Sequence, residues 1–260
     1  MKHALTIAAA LILTPATGVV AQGQNLWVGS NDVDAGRIAA GTQVLNSAMT
    51  RNGESQPGLT QTEEIAFVSW DDKHYLRQTV VVERDGQVMT TDTTYYNTET
   101  LAPVRHASHA PRWRSLSLSY WGNKVAGTNT PADGDAKDFE VTLDQQVYDP
   151  SSYLLLIRSL PLEAEYGVKV PIFNHDKLVA GTMNVWVDGT EWVKTGEDQY
   201  EDAYVVSVSY EASDGAAKYW IAKDTRLLLK TESSWGESSM TGWARFIPAQ
   251  TETDAPGGAR

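Results

Sequence analysis

The stretch QTVVVERDGQVMTTDTTYY, Gln78 to Tyr96, decides the fold class. Two runs rich in β-branched residues flank Asp85-Gly86. A type I′ turn needs positive φ at both central positions, and Asp-Gly accepts that, so the stretch reads as a β-hairpin. The dipeptide recurs: Asp188-Gly189 divides MNVWV from TEWVK, and Asp214-Gly215 divides YVVSVSYEAS from AAKYWIA. YWIAKDTRLLLK, Tyr219 to Lys230, predicts a fourth hairpin turning at Lys223–Arg226. Repeated tight turns between β-rich runs predict an antiparallel sheet protein.

The flanking runs alternate as strands do. Leu116, Leu118 and Tyr120 share one face and Ser117 and Ser119 the other, while Phe139, Val141 and Leu143 alternate with Glu140, Thr142 and Asp144. Further strands are expected around 64–70, 74–83, 87–96, 103–109, 169–173 and 239–247, with strand favoured over helix at 43–50. Residues 50–58 and 127–134 read as polar loops. The Tyr219–Lys230 hairpin is apolar on both faces: Tyr219 and Ile221 point one way, Trp220 and Ala222 the other. Antiparallel sheets commonly leave one face wet, so something must cover the second face.

DPSSYLLLIRSLP, Asp149 to Pro161, breaks the strand pattern. Asp149 suits a helix N-cap, Pro150 the first helical position, and Pro161 a stop. Tyr153, Leu154, Leu155, Leu156, Ile157 and Leu160 wrap most of the circumference, so the helix must be buried on several sides. The expected fold is all-β: a curved antiparallel sheet, an open half-barrel with this short apolar helix in its mouth, or two sheets packed face to face.

Lys2 and His3, the apolar run Ala4–Leu13 and the small-residue site ending at Ala21 read as a secretory signal peptide, Met1 to Ala21, cut before Gln22. One β domain is expected from Gln22 to Ile247, and Pro248 to Arg260 has the composition of a disordered tail. No later run approaches the ~20 apolar residues of a spanning helix, so no transmembrane segment is expected in the mature chain. The 260 residues include no cysteine, which fits a bacterial periplasm and rules out thiol chemistry. Net charge is −12, or −13 without Lys2, and works against nucleic acid.

Catalytic and metal motifs are absent from the sequence. His106-x-x-His109, the closest histidine pair, splays to opposite faces of a strand, and both are read as surface residues. No serine sits in a G-x-S-x-G elbow and no glycine-rich loop opens a helix, so neither an enzyme nor a cofactor is expected. The nine tryptophans suit either a wide sheet core or an apolar or sugar-stacking groove. The ligand-binding candidates are Tyr153, Leu155 and Leu156 on the helix, with Trp186, Trp192 and Trp220 on strands.

The segments YDPSSYLLLIRSLPLEAEYGVKVPIF, VWVDGTEWVKTG, AYVVSVSY and YWIAKDTRLLLKTE resemble the bacterial envelope family called domain of unknown function 3108. The matching positions are Leu156–Leu162, Pro171, Phe173, Val187–Thr195 and Tyr219–Leu229, within a resemblance spanning about Asn25 to Ile247. It implies a periplasmic half-barrel similar to envelope lipoprotein carriers, which hold acyl chains in a concavity closed by helices. The implied ligand is a lipid or acyl chain; the alternative, which rests on the tryptophans rather than on the resemblance, is an envelope protein-interaction or carbohydrate-binding module. The resemblance brings no catalytic residues with it.

Overall fold

The computed structural model describes residues 23–211 and 215–249. The signal peptide, its cleavage site, the tail after Ala249 and Asp214 all lie outside the described residues. Leader strand β1 (Gln24–Asn25) precedes a meander of β2 (Gly41–Arg51), β3 (Glu54–Trp70), β4 (Lys73–Arg84), β5 (Gln87–Asn97), β6 (Pro103–Ala110), β7 (Arg114–Trp121), β8 (Lys124–Pro131) and β9 (Lys137–Thr142). A second meander follows: β10 (Gly167–Asn174), β11 (Val179–Lys194), β12 (Tyr200–Tyr210), β13 (Ala216–Ala222), β14 (Leu228–Trp235) and β15 (Ser238–Pro248). The last strand, β15, pairs with β2, so both meanders form one open, curved sheet of 15 strands in the order β1-β10 to β15-β2 to β9.

Turn chemistry explains several of the hairpins. Asp85 and Gly86 have φ of 52° and 73°, the positive values a type I′ turn demands. Two expected loops are strand instead. Asn52 and Gly53, with φ of 53° and 77°, make a second such turn, and β2 and β3 run directly into it. Residues 127–131 belong to β8. The β12–β13 pair flanks Asp214-Gly215 as an antiparallel hairpin should.

Asp188-Gly189 behaves differently. β11 passes straight through it, and the register against β12 shifts between Val187 and Gly189. This is a β-bulge, not a hairpin turn: one extra residue enters the strand, and Gly189 adopts φ +153°. Before the bulge Val185 and Val187 face the interior and Trp186 faces out; beyond it Val193 faces out.

The first meander ends at one edge of the sheet and the second begins near the other, so the chain must cross the concavity between them. The crossing carries a 3-10 turn, Pro150–Ser152, and the helix α1, Tyr153–Ser159. Leu155, Leu156, Ile157 and Leu160 are fully buried against Leu45, Ile65, Leu76, Val170, Val185 and Val206 from both meanders. The leader closes the helix C-terminus, where Arg37 Nη1 donates to Leu160 O at 3.1 Å and Asp34 N to Ser159 O at 3.1 Å.

The two-faced hairpin is now explained. Tyr219, Ile221 and Leu228 join the interior core around the helix. Trp220, Ala222 and Leu229 join Val193, Ala203 and Val205 in an outer-face cluster, which exists because the bulge turned Val193 outward. Gly189→Val should cost about 1–3 kcal/mol through backbone strain alone, because nothing lies within 4 Å of the position a Cβ would take. Urea denaturation measures this; an unchanged midpoint contradicts the bulge geometry.

Candidate functional site

Two places concentrate polar chemistry, one beneath the helix and one on the opposite face of the sheet. Beneath the helix, Asp149 caps the 3-10 turn that leads into α1: Oδ1 accepts from Ser151 N at 2.8 Å and from Ser151 Oγ at 2.5 Å. Its Oδ2 accepts from Tyr120 OH at 2.5 Å and lies 2.9 Å from His106 Nδ1. His106 Nε2 meets Asp92 Oδ1 at 3.4 Å. Contrary to the sequence expectation, His106 is buried rather than on the surface, because its strand turns it toward Asp149 inside the sheet.

A polar circuit continues from there. Ser151 Oγ lies 3.2 Å from Tyr96 OH, which donates to Gln78 Oε1 at 2.8 Å. Gln78 Nε2 donates to Glu63 Oε1 at 2.6 Å, and Glu63 Oε2 accepts from Arg158 Nη1 at 3.2 Å. Arg158, at the far end of the helix, also donates from Nε to Arg226 O at 2.8 Å.

Burial alone would lower the His106 pKa, but the Asp149 carboxylate and hydrogen bonds to both aspartates push it up to about 10. Asp149 is held below the usual carboxylate range: burial opposes this, and His106, Ser151 and Tyr120 outweigh burial. With a carboxylate at each ring nitrogen, His106 has no free nitrogen to act as a base, and Ser151 bonds Asp149 rather than His106. The cluster clamps the helix; it is not arranged as a nucleophile and base.

The second place lies on the outer face of β10–β15. Register aligns two rows of outward side chains there. One is Gly167, Trp186, Ser207, Lys218, Glu232 and Thr241; the other is Lys169, Asn184, Ser209, Ala216, Ser234 and Ser239. These rows line a cavity of about 800 Å³. The Trp186 ring is seated on Gly167, where a Cβ would meet its Cε3 at 2.1 Å. Asp188, on the outward side of the bulge, holds Lys218 Nζ at 2.8 Å and accepts from Ser207 Oγ at 2.7 Å. Lys230 pairs with Glu232 at 2.6 Å. In the adjoining row Lys230 stacks over Trp220, 4.2 Å from its ring centroid, and Trp220 Nε1 donates to Glu191 Oε2 at 2.8 Å.

Of the six residues singled out from sequence, only Trp186 lines this cavity. Trp220 is buried one row away on the same face. Leu155 and Leu156 are fully buried in the interior core, and Tyr153 packs there with its ring 5.7 Å from Tyr219. Trp192 is 70% exposed and stands apart from the others. Of the two readings of the tryptophans, the wide-core one fails for seven: Trp27, Trp70, Trp113, Trp121, Trp192, Trp235 and Trp243 are exposed. Sequence reasoning passed over Ser207, Lys218 and Glu232. Their signal was available, since Ser207 and Ser209 alternate with buried valines and Lys218 with Ala217 and Tyr219.

Comparison with known proteins agrees with this architecture. Residues 59–241 match the model of the family described as "Protein of unknown function (DUF3108)". The chain belongs to the DUF3108 family. A solved structure, a beta-barrel-like protein of domain of unknown function DUF1849 from Brucella abortus, is similar in fold at TM-score 0.51 and 12% identity. The match covers 84% of this DUF3108 chain and all of the Brucella one. A search of curated proteins returned no match. Among the described residues no helix is long and apolar enough to cross a membrane, and no cluster of three or more His, Asp or Glu side chains could hold a metal ion.

The clamp carries a pH signature. An unfolded histidine titrates near 6.5, whereas folded His106 keeps its proton to about 10. Its contribution is therefore full below about pH 6.5 and lost as pH rises toward about 10, by up to ~1.4 kcal/mol per pH unit. Asp149, shifted down, loses its contribution as pH falls below about 4. Denaturation at pH 6 to 10 should show stability falling for the native chain and a flatter profile for His106→Gln. Equal slopes contradict the buried ion pair.

Proposed function

We propose that this DUF3108 chain is an exported periplasmic envelope protein that binds a ligand without transforming it, and that the ligand lies in the Trp186 groove on the outer face of β10–β15. Export is supported by the n-region, apolar run and small-residue site of Met1 to Ala21. One observation carries the binding reading: a cavity of about 800 Å³ built from a seated tryptophan, small side chains and a rim of hydroxyls and charges. That mixture suits an amphipathic ligand.

The resemblance to lipoprotein carriers pointed instead to the concave interior. There the side chains of Leu155, Leu156, Ile157 and Leu160 already pack against the sheet, and the helix is clamped at both ends. A ligand entering beneath it would have to break the Asp149 and Arg158 bonds. Leaving either charge buried without its partner is strongly destabilising, about 3–5 kcal/mol for one broken pair. The outer groove needs no such opening.

Native mass spectrometry of the protein taken from periplasmic extract tests this. The expected chain begins at Gln22 and carries a bound small molecule, and Trp186→Ala loses that molecule while keeping its denaturation midpoint. Retention of the same adduct by Trp186→Ala contradicts the groove as its site, and a chain retaining residues before Gln22 contradicts export with cleavage.

A further inference from the structure

We infer that the groove takes a glycan: a linear, uncharged oligosaccharide lying across the strands with one sugar ring against Trp186. This rests on the groove being the ligand site, and names the chemistry that the site selects.

The strands disfavour a peptide. Within the groove β11 to β14 are hydrogen-bonded to neighbours on both sides, so the floor offers no free backbone edge on which an extended peptide could add as a strand. Recognition has to come from side chains. Those side chains disfavour an acyl chain. Ser207, Ser209, Ser234, Ser239 and Thr241 bring hydroxyls to the lining and Asn184 an amide. Each hydroxyl combines a donor with two acceptor lone pairs, the same bivalence as a sugar hydroxyl. Ser207, Ser209 and Ser239 also bond Asp188, Asn184 and Thr50. The lone pairs they keep, with the Ser234 and Thr241 hydroxyls, lose water under hydrocarbon and regain partners under a glycan.

Charge points the same way. Lys218 is paired with Asp188, and Glu232 with Lys230, which leaves Lys169 as the single lining charge outside those pairs. A polycation meets no excess of negative charge, and one lysine is too small an excess to select a polyanion. The seated tryptophan then supplies what remains, an apolar surface for the C–H face of a sugar ring. Ala216, with the serines, keeps the floor low enough for rings to lie flat, and Gly167 lets the Trp186 ring lie against the sheet. Six strands at about 4.8 Å spacing give a run of roughly 24 Å, room for several rings in line.

Gly167 provides an unusual test. Its φ is not in the left-handed region, so alanine strains no backbone, yet the new Cβ collides with the Trp186 ring and must move it. The mature chain is titrated by calorimetry with chitohexaose, cellohexaose, maltohexaose and palmitate, alongside Gly167→Ala, Trp186→Ala and, as a control away from the groove, Trp192→Ala. At least one hexasaccharide should bind, tenfold or more weakly to both groove variants and equally to Trp192→Ala, with denaturation midpoints confirming that the variants fold. Palmitate binding that depends on Trp186, with no hexasaccharide binding, overturns the glycan while leaving the groove as the site. Binding insensitive to both groove variants, or none from any probe, overturns the glycan and the groove together.

Discussion

The Asp149 carboxylate, fully buried, has four close partners: the backbone and hydroxyl of Ser151, the Tyr120 phenol and the His106 ring. A carboxylate in that position is tolerated only when it is both hydrogen-bonded and charge-compensated. Meeting that condition fixes where the helix begins. Through Ser151, Tyr96, Gln78 and Glu63 the same requirement reaches Arg158 and fixes where it ends. The partners sit on β3, β4, β5, β6 and β7, so the first meander has to wrap around the helix for the circuit to close. Leucines supply the bulk of the core, and the circuit supplies its geometry.

With the interior occupied, the outer face holds the groove, and the bulge at Asp188-Gly189 shapes it. One extra residue in β11 reverses the alternation partway along the strand. Upstream, Trp186 and Asp188 point out and build the groove. Downstream, Val193 points out and seals Trp220 and Leu229 into the outer cluster. A two-faced hairpin thus serves two purposes: one face packs the helix, and the other stiffens the wall beside the groove.

Some of this was legible in the sequence. Asp85-Gly86 announced its hairpin, the apolar faces of Tyr219–Lys230 announced double burial, and Asp149-Pro150 announced the helix start. These signals are local, set by φ preferences and side-chain periodicity. Asp188-Gly189 misled because a bulge and a type I′ turn both place glycine at positive φ, and the dipeptide cannot tell them apart. Asn52-Gly53 was read as loop because polar residues surround it, although its own chemistry is that of a tight turn. His106 was read as surface because its partner lies 43 residues away, beyond any local pattern. The groove was the least legible: its rows join residues from six strands, and their alignment depends on every intervening register. Only Trp186 carried a signal of its own.

Because the chain has no cysteine, the helix can be locked without side reactions. Thr94 Oγ1 and Ser151 Oγ lie 2.9 Å apart, bridging β5 to the turn that starts the helix. The Thr94→Cys, Ser151→Cys double variant, compared oxidised and reduced, asks directly whether binding requires the helix to move. If the ligand sits in the outer groove over a clamped core, its affinity is the same within twofold in both redox states. A tenfold or greater loss on oxidation, restored by reductant, would show that ligand enters beneath the helix and would contradict the account.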